Sequence, residues 1–417
     1  MFSRRWSIAI VVTAAIAISY FDRQTLPVAV KAVREDIPIS DAAFSKLNSA
    51  FLLAYAIMYL GGGRLIDAVG TRRGFFWVMV LWSIACGLHG LASGLIFLGV
   101  CRFLLGLGEG GGIPAATKAV AEWFPMRERS AAIGLFNAGT AVGAVAAAPV
   151  VAGIIAISNW RWVFFVAAVI GLLWTVWWLW EYYPPAEDVR LSKEERDEIK
   201  EVFEQPAAPQ TPTRWLDLLA LPQVWGLVLA KCLSDAAWFY YSQWLPKYLY
   251  DMHHFKTSEV GAYGWIPYAA SGIGSLLGGG FCAWLLRRGY SLNFSRKFVL
   301  GLSAACMPWV FLVTQLPVSM AIVLFSLAFF GQQSWSTLVM TLPVDLFPRR
   351  LVGTVAGMVG FGGAMGGVIF NLVAGGLLDT LGRERGYVIV FGLTSSFHII
   401  AFIWILVMVR RVEPIEI

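Results

Sequence analysis

Seven ionisable side chains of this 417-residue chain sit inside long apolar runs: Asp22, Arg23, Arg102, Glu109, Lys118, Lys231 and Asp235. A charge at the centre of a membrane helix costs ~2.5–3.5 kcal/mol even on lenient insertion scales, so such residues face a cavity or a partner. Lys118 is the exception, placed near a span end where its stem can snorkel to water. Arg102 and Glu109 are seven residues apart, which puts them on one helix face ~10 Å apart along the axis. Asp22 and Arg23 are adjacent and point ~100° apart, so at most one of them faces Arg102. The simplest arrangement pairs Asp22 with Arg102. Lys231 and Asp235 stand at i, i+4 and can pair on one face. Buried arginines beside buried acids suit one chemistry well: capture of a carboxylate by a planar guanidinium that stays charged.

These residues need elements that hold them in lipid. Fifty-eight per cent of the side chains, about 242, are hydrophobic and only 14% are charged. Soluble domains carry nearer 45–50% and about 25%. At ~20 apolar residues per crossing the chain supplies roughly a dozen spans and little else. The composition excludes a soluble enzyme, a nucleic-acid binder and a disordered chain. The net charge of +6 is spread over short loops, as topogenic charges are. Twelve helices are expected, near 6–27, 46–63, 75–94, 96–118, 130–154, 160–182, 223–246, 259–286, 298–315, 318–342, 352–377 and 386–409; only helices or closed barrels satisfy the backbone in lipid, and these runs are too long for barrel strands. The five cysteines fall in apolar stretches and read as small core residues. Twenty lysines and arginines against eight put both termini on the cytoplasmic side, with Arg34, Lys247 and Arg383 among the eight in outer loops.

The organisation is internally repeated. Glu122-Trp123-Phe124-Pro125 recurs as Asp345-Leu346-Phe347-Pro348, and Gly134, Gly139 and Gly143 recur as Gly357, Gly362 and Gly366, all at an offset of 223 residues. The expected domains are an N-terminal six-helix bundle (1–183), a cytoplasmic linker with a short helix (184–222) and a C-terminal six-helix bundle (223–417). Ser192 and Glu195 make a capping-box pattern, and a tether follows from Gln205 to Thr213. Parallel repeats of this kind bind substrate at the midplane between halves.

Gly63-Arg64-Leu65-Ile66-Asp67-Ala68-Val69-Gly70-Thr71-Arg72-Arg73-Gly74 resembles the loop 2–3 signature of the major facilitator superfamily, Gly-x-x-x-Asp-x-x-Gly-x-Arg-Arg. In the second half, Gly278-Gly279-Gly280 to Arg287-Arg288-Gly289 keeps glycines and arginines but lacks the aspartate. Over nearly its whole length the chain is similar to the anion:cation symporter branch, and within it to bacterial hexuronate transporters. The stretches that carry this are Tyr20-Phe21-Asp22-Arg23, Arg102 to Glu109 with Ile113-Pro114-Ala115, Ala121 to Ser130, Lys231 to Asp235, Ala237-Trp238 and Trp244-Leu245-Pro246.

The resemblance implies an all-α membrane protein of twelve transmembrane helices in two pseudo-symmetric bundles, residing in a bacterial inner membrane and most simply a monomer. It implies a proton-coupled symporter importing glucuronate or galacturonate by alternating access. Symport of galactonate or another organic anion, and anion exchange or efflux, remain open. No enzyme is expected, because no Ser/His/Asp or His/Glu metal-ligand cluster occurs at a plausible depth and no P-loop is present. No cofactor is expected beyond the coupling proton, and no nucleic acid. Asp22 and Glu109 are the expected proton-coupling acids, with Arg23 or Arg102 taking the substrate carboxylate. Hydroxyl recognition falls to Tyr20, Tyr55, Asn137, Trp238, Tyr241, Gln243, Gln332, Gln333 and Asn371, since an amide buried without a partner is costly. Asp67, Arg72, Arg73, Lys231 and Asp235 are expected in gating or structural roles; the family more often has arginine with glutamate at the last pair.

Overall fold

In lipid every peptide group must bond within its own segment, and the apolar runs accordingly coil. The computed structural model describes residues 3–124, 126–192, 195–196 and 218–415, with Asp67, residues 126–131, Arg349 and Arg350 described in backbone only. The Gln205–Thr213 tether lies outside the described residues, as do the Lys193, Lys200 and Arg214 charges. The first helices are α1 (Arg4–Asp36), α2 (Asp41–Val69), α3 (Thr71–His89), α4 (Leu95–Gly110), α5 (Gly112–Trp123), α6 (Met126–Ile157) and α7 (Trp160–Glu181). The rest are α8 (Pro222–His253), α9 (Thr257–Tyr263), α10 (Ile266–Arg287), α11 (Leu292–Ala305), a 3₁₀ turn (Pro308–Gln315), α12 (Val318–Leu346), α13 (Arg349–Leu381) and α14 (Arg383–Met408).

With α4–α5, α9–α10 and α11 with its 3₁₀ turn each taken as one rod, these are the twelve expected rods. Among the described residues, ten are long and apolar enough to cross a membrane. The other two rods are α3, which opens on Arg72 and Arg73, and α8, which carries Lys231, Asp235, Lys247 and Asp251. Three boundaries differ from expectation. The fourth rod breaks at Gly111 and the eighth at Gly264-Trp265. The ninth begins at Leu292, where Ser291 caps it, and ends in the 3₁₀ turn after Pro308. Helices α1 and α8 also run well past their apolar cores, to Asp36 and His253. Hydrophobicity marks the part of a helix in lipid, and not where the helix stops.

The helices sort by contact into two sets. Within α1–α7, α1 packs on α6, α2 on α4 and α3 on α7; within α8–α14, α8 packs on α13, α10 on α12 and α8 on α14. The sets meet where α2 packs on α13, α1 on α8, and α6 on α9 and α10. The repeated glycines explain one equivalence. A Cβ at Gly143 would strike the carbonyl oxygen of Ala17 on α1, and one at Gly366 would strike that of Cys232 on α8. Gly139 approaches the Thr13 carbonyl and Gly362 the Val228 carbonyl in the same way. Each half therefore packs its fifth rod against its first through backbone-close glycine contacts, a geometry that only small residues permit.

Both termini lie at one end of the molecule. One apolar cluster runs the length of the first set, from Ile8, Trp123 and Trp178 to Val30 and Phe44, and crosses into the second set toward the far end through Tyr240, Tyr248 and Phe391. Toward the termini, a separate cluster belongs to the second set alone, with Leu227, Leu285, Trp335, Val359 and Ile405 among its members.

Candidate functional site

Helix α1 presents Ser19, Tyr20, Asp22 and Arg23 to α2, α3 and α4. Arg23 Nε donates to Glu109 Oε2 at 2.6 Å, and Ser19 Oγ donates to the same oxygen at 2.7 Å. The Arg23 guanidinium carbon lies 4.5 Å from the ring centres of both Tyr20 and Tyr55, with Phe51 at 5.6 Å. Aromatic faces attract such a cation, so the guanidinium is held in a box with one carboxylate on its edge. Gly106 lets α4 come this close, since a Cβ there would strike the Phe51 carbonyl oxygen of α2.

The expected Asp22–Arg102 pair does not form. Arg102 Nη2 donates to Asn48 Oδ1 at 3.0 Å and its guanidinium lies over Phe51 at 5.0 Å. Asp22 is wholly buried toward Trp82 and Cys86 of α3 and has no ion-pair partner among the described residues. The ~100° between neighbours on a helix is the reason: once Arg23 turns to Glu109, Asp22 must face α3. Arg102 Nε and Nη1 and Glu109 Oε1 are buried without hydrogen-bond partners. The N-terminal half of the site thus holds a made ion pair and an unmade one.

In the second set, Lys231 Nζ bonds Asp235 Oδ1 at 2.9 Å and Ser336 Oγ at 2.8 Å. Gln332 Nε2 donates to the same Asp235 oxygen at 3.4 Å, and its Oε1 accepts from His398 Nε2. His398 is fully buried and so anchors the amide that touches the pair. Asn371 spends its polar atoms inside the bundle: Oδ1 accepts from Trp244 Nε1 (2.7 Å), while Nδ2 donates to Gln243 Oε1 (3.2 Å) and the Gly367 carbonyl (2.9 Å). Tyr241 is packed among Tyr240, Phe325 and Phe391, and Trp238 stands edge-on to Phe329 at 5.2 Å. Gln333 is half-buried, and Asn137 is exposed on α6, four residues before Ala141, which meets Gly272 of α10. In this arrangement Asn371, Gln243 and Tyr241 are engaged in packing, while Tyr20 and Tyr55 flank the Arg23 guanidinium.

Sequence reasoning missed the far-end closure. Lys247 is fully buried and forms ion pairs with Asp41 of α2, at 2.6 Å, and with Asp251 of its own helix. Arg34 of α1 reaches Asp41 at 2.9 Å and Asp251 at 3.7 Å, and Arg383 of α14 reaches them at 3.5 and 3.3 Å. Asp379 accepts from the backbone N–H groups of Asp41 and Ala42, each at 3.0 Å, which caps α2 from the other set. Tyr250 donates to the Val28 carbonyl (2.6 Å), Tyr268 to Gln24 Oε1 (2.8 Å) and Ser49 to the Val368 carbonyl (3.2 Å). Arg34, Lys247 and Arg383 are therefore cluster members and not loop charges; α8 carries Lys247 past the apolar limit into a buried position. The i, i+4 spacing of Lys247 and Asp251 was a visible signal; their partners on α1, α2 and α14 were not. At the termini end a Cβ at Gly61, Gly63, Gly134 or Gly353 would find no atom within 4 Å.

The loop signature works as an internal brace. Arg72 donates to the carbonyls of Tyr182 (2.8 Å) and Leu179 (2.6 Å) and lies 4.0 Å from the Tyr183 ring centre. Glu122 accepts from Thr71 Oγ1 at 2.7 Å and from the Tyr182 hydroxyl. Its repeat counterpart Asp345 is held by Arg296 at 2.8 Å. Arg73 is exposed, and the Asp67 side chain lies outside the described residues.

Two sets of membrane-crossing helices, sealed together at one end by ion pairs and with buried charges between them, define a polytopic membrane transport protein and not an enzyme. The Major Facilitator Superfamily model matches residues 12–370, and the chain belongs to that family. It is 31% identical over 421 residues to the hexuronate transporter of Escherichia coli strain K12, covering 99% of this chain and 96% of that one. It is also 31% identical over 392 residues to the D-galactonate transporter of Escherichia coli O6:H1, covering 91% and 90%. Its fold is that of a bacterial homologue of the human lysosomal transporter Spinster, with a TM-score of 0.75 at 18% identity over 98% of this chain and 97% of that one.

Proposed function

We propose that the chain is a proton-driven symporter that imports a hexuronate, glucuronate or galacturonate, across the bacterial inner membrane by alternating access. The observation that carries the reading is Arg23, boxed by Tyr20 and Tyr55 and held by a carboxylate that a proton can neutralise. Protonation of Glu109 releases the guanidinium to the carboxylate of the sugar acid, and the tyrosine rings offer flat faces to a pyranose. Asp22, buried toward α3 with no cation paired to it among the described residues, is the second proton acceptor. Similarity to the hexuronate transporter over 99% of the chain supports the substrate class. With the termini in the cytoplasm, as the lysine and arginine distribution favours, the sealed far end is periplasmic and the site opens inward. The two helix sets, residues 1–183 and 223–417, act as two bodies that rock about the α2–α13 and α1–α8 contacts, and one chain suffices.

The test is uptake of labelled glucuronate into proteoliposomes with and without an inward proton gradient, in competition with galacturonate, galactonate and phosphate. Accumulation driven by the gradient and blocked by galacturonate alone supports the whole reading. Exchange without accumulation removes the proton-coupling roles. A second reading, galactonate symport, is favoured by the equal identity to the D-galactonate transporter; uptake of galactonate in place of glucuronate would select it.

A further inference from the structure

The two halves use their repeated basic loops differently. In the first, Arg72 is bonded to helix carbonyls, and the neighbouring rings of Phe75, Trp174 and Trp178 are buried together. In the second, Arg287 and Arg288 are exposed, and neither has an ion-pair partner among the described residues. Arg288 lies 5.1 Å from the Trp284 ring centre.

Beside these arginines the α10–α11 hairpin carries a ladder of rings on its outer face. Tyr290 stacks on Phe294 (5.2 Å between centres) and Phe294 on Phe298 (5.4 Å). Phe298 meets Phe281 across the hairpin (6.3 Å), and Phe281 stacks on Trp284 (5.7 Å), which returns the ladder to Arg288. Trp284, Tyr290, Phe294 and Phe298 are 43–51% exposed. The result is an apolar wall that descends from the turn at the termini end, with two unpaired guanidinium groups at its mouth.

We propose that this hairpin is a binding site for an anionic phospholipid of the leaflet on the side of the termini. The phosphate lies between Arg287 and Arg288, and an acyl chain runs along the Phe294–Phe298 face. Charge complementarity selects this occupant, because a zwitterionic lipid offers the same chains but no net charge to the arginines. Aromatic rings at this depth are ordinary for a membrane interface; the unpaired arginine couple at the end of a continuous ladder is the specific element. The site holds whatever the chain transports.

Native mass spectrometry of the full-length protein in detergent, titrated with phosphatidylglycerol or phosphatidylcholine of identical chains, tests it. Wild type is expected to retain phosphatidylglycerol in preference, and R287Q/R288Q to lose about ten- to thirtyfold of that retention. R410Q/R411Q, which removes another exposed basic pair at the same end, should behave as wild type, and R287K/R288K should stay within about threefold because each charge near an anionic headgroup is kept. Thermal unfolding, unchanged by these surface substitutions in the absence of lipid, reports that each variant is folded. Soluble glycerol phosphate should not compete, since the chain contributes to binding. Equal retention by wild type and R287Q/R288Q, or an equal loss in R410Q/R411Q, overturns the proposal. Competition by glycerol phosphate alone would assign the arginines to a free phosphate and overturn the lipid.

Discussion

Asp41→Asn is the sharpest perturbation of the far-end closure. Asp41 is the carboxylate from the first set that meets two cations of the second, Lys247 at 2.6 Å and Arg383 at 3.5 Å, besides Arg34 of its own set. The amide keeps the shape and removes the charge, which leaves buried Lys247 to share Asp251 with the two arginines. Removing one member of a buried ion pair costs about 3–5 kcal/mol. When the far end opens these groups reach water and the loss shrinks, so most of the cost, about 3 kcal/mol, falls on the closed state alone. That is a factor of roughly 150 in the equilibrium between states, enough to bring a population of about 99:1 near to even. The loss of a helix-dipole interaction at the α2 N-terminus is common to both states and cancels. Spin labels at Lys46 and Met320, both exposed toward the far end, report the population by pulsed dipolar distance measurement. A second, longer distance should rise to about half the signal in the variant. An unchanged distribution would show that apolar contacts alone seal this end and that the charge argument is wrong.

Three further outcomes are expected. Glu109→Gln should keep substrate exchange in proteoliposomes and lose gradient-driven accumulation; loss of both would make Glu109 part of the binding site itself. Gly143→Ala and Gly366→Ala, which drive a methyl group into the Ala17 and Cys232 carbonyls, should each destabilise by about 1–3 kcal/mol in thermal unfolding, whereas Gly134→Ala, with open space around it, should be silent. Asp188, in the segment after α7, is buried; burial alone would raise its carboxyl, but Arg190 and Arg4 outweigh it and hold it below the usual range. Its stabilisation is therefore full above the unfolded value near 3.9 and lost as pH falls through the lowered folded value. Between about pH 5 and 3 wild type should lose melting temperature more steeply than Asp188→Asn.

Spans and repeats were legible because lipid imposes one requirement on every residue of a crossing: about 20 apolar side chains and a closed backbone. The Gly139/Gly143 and Gly362/Gly366 register was readable for the same reason, since close helix approach admits few residue types. Partner choice was not. The spacing of Arg102 and Glu109 put both on one face, yet it left open which neighbour on α1 would turn toward them. Rotation of α1 decided that in favour of Arg23. Lys247, Asp41 and Arg383 stand on three helices far apart in sequence, and no local pattern joins them. Asn371 and Gln332 were expected to meet substrate hydroxyls; their donors and acceptors in the fold, Trp244, Gln243 and His398, stand on other turns and helices that no local sequence pattern links to them.

The apolar cluster crosses between the helix sets toward the far end, whereas toward the termini the second set keeps a cluster of its own, and this has a thermodynamic corollary. Opening the far end must wet apolar surface that the other rearrangement does not bury in equal measure. Apolar hydration carries a large positive heat capacity, so the free-energy difference between the two states is curved in temperature and not linear. Because apolar association weakens on cooling, the far-end-open state gains population in the cold. The membrane temperature at which the cell grows thus becomes a setting of the transport cycle, alongside any ion gradient.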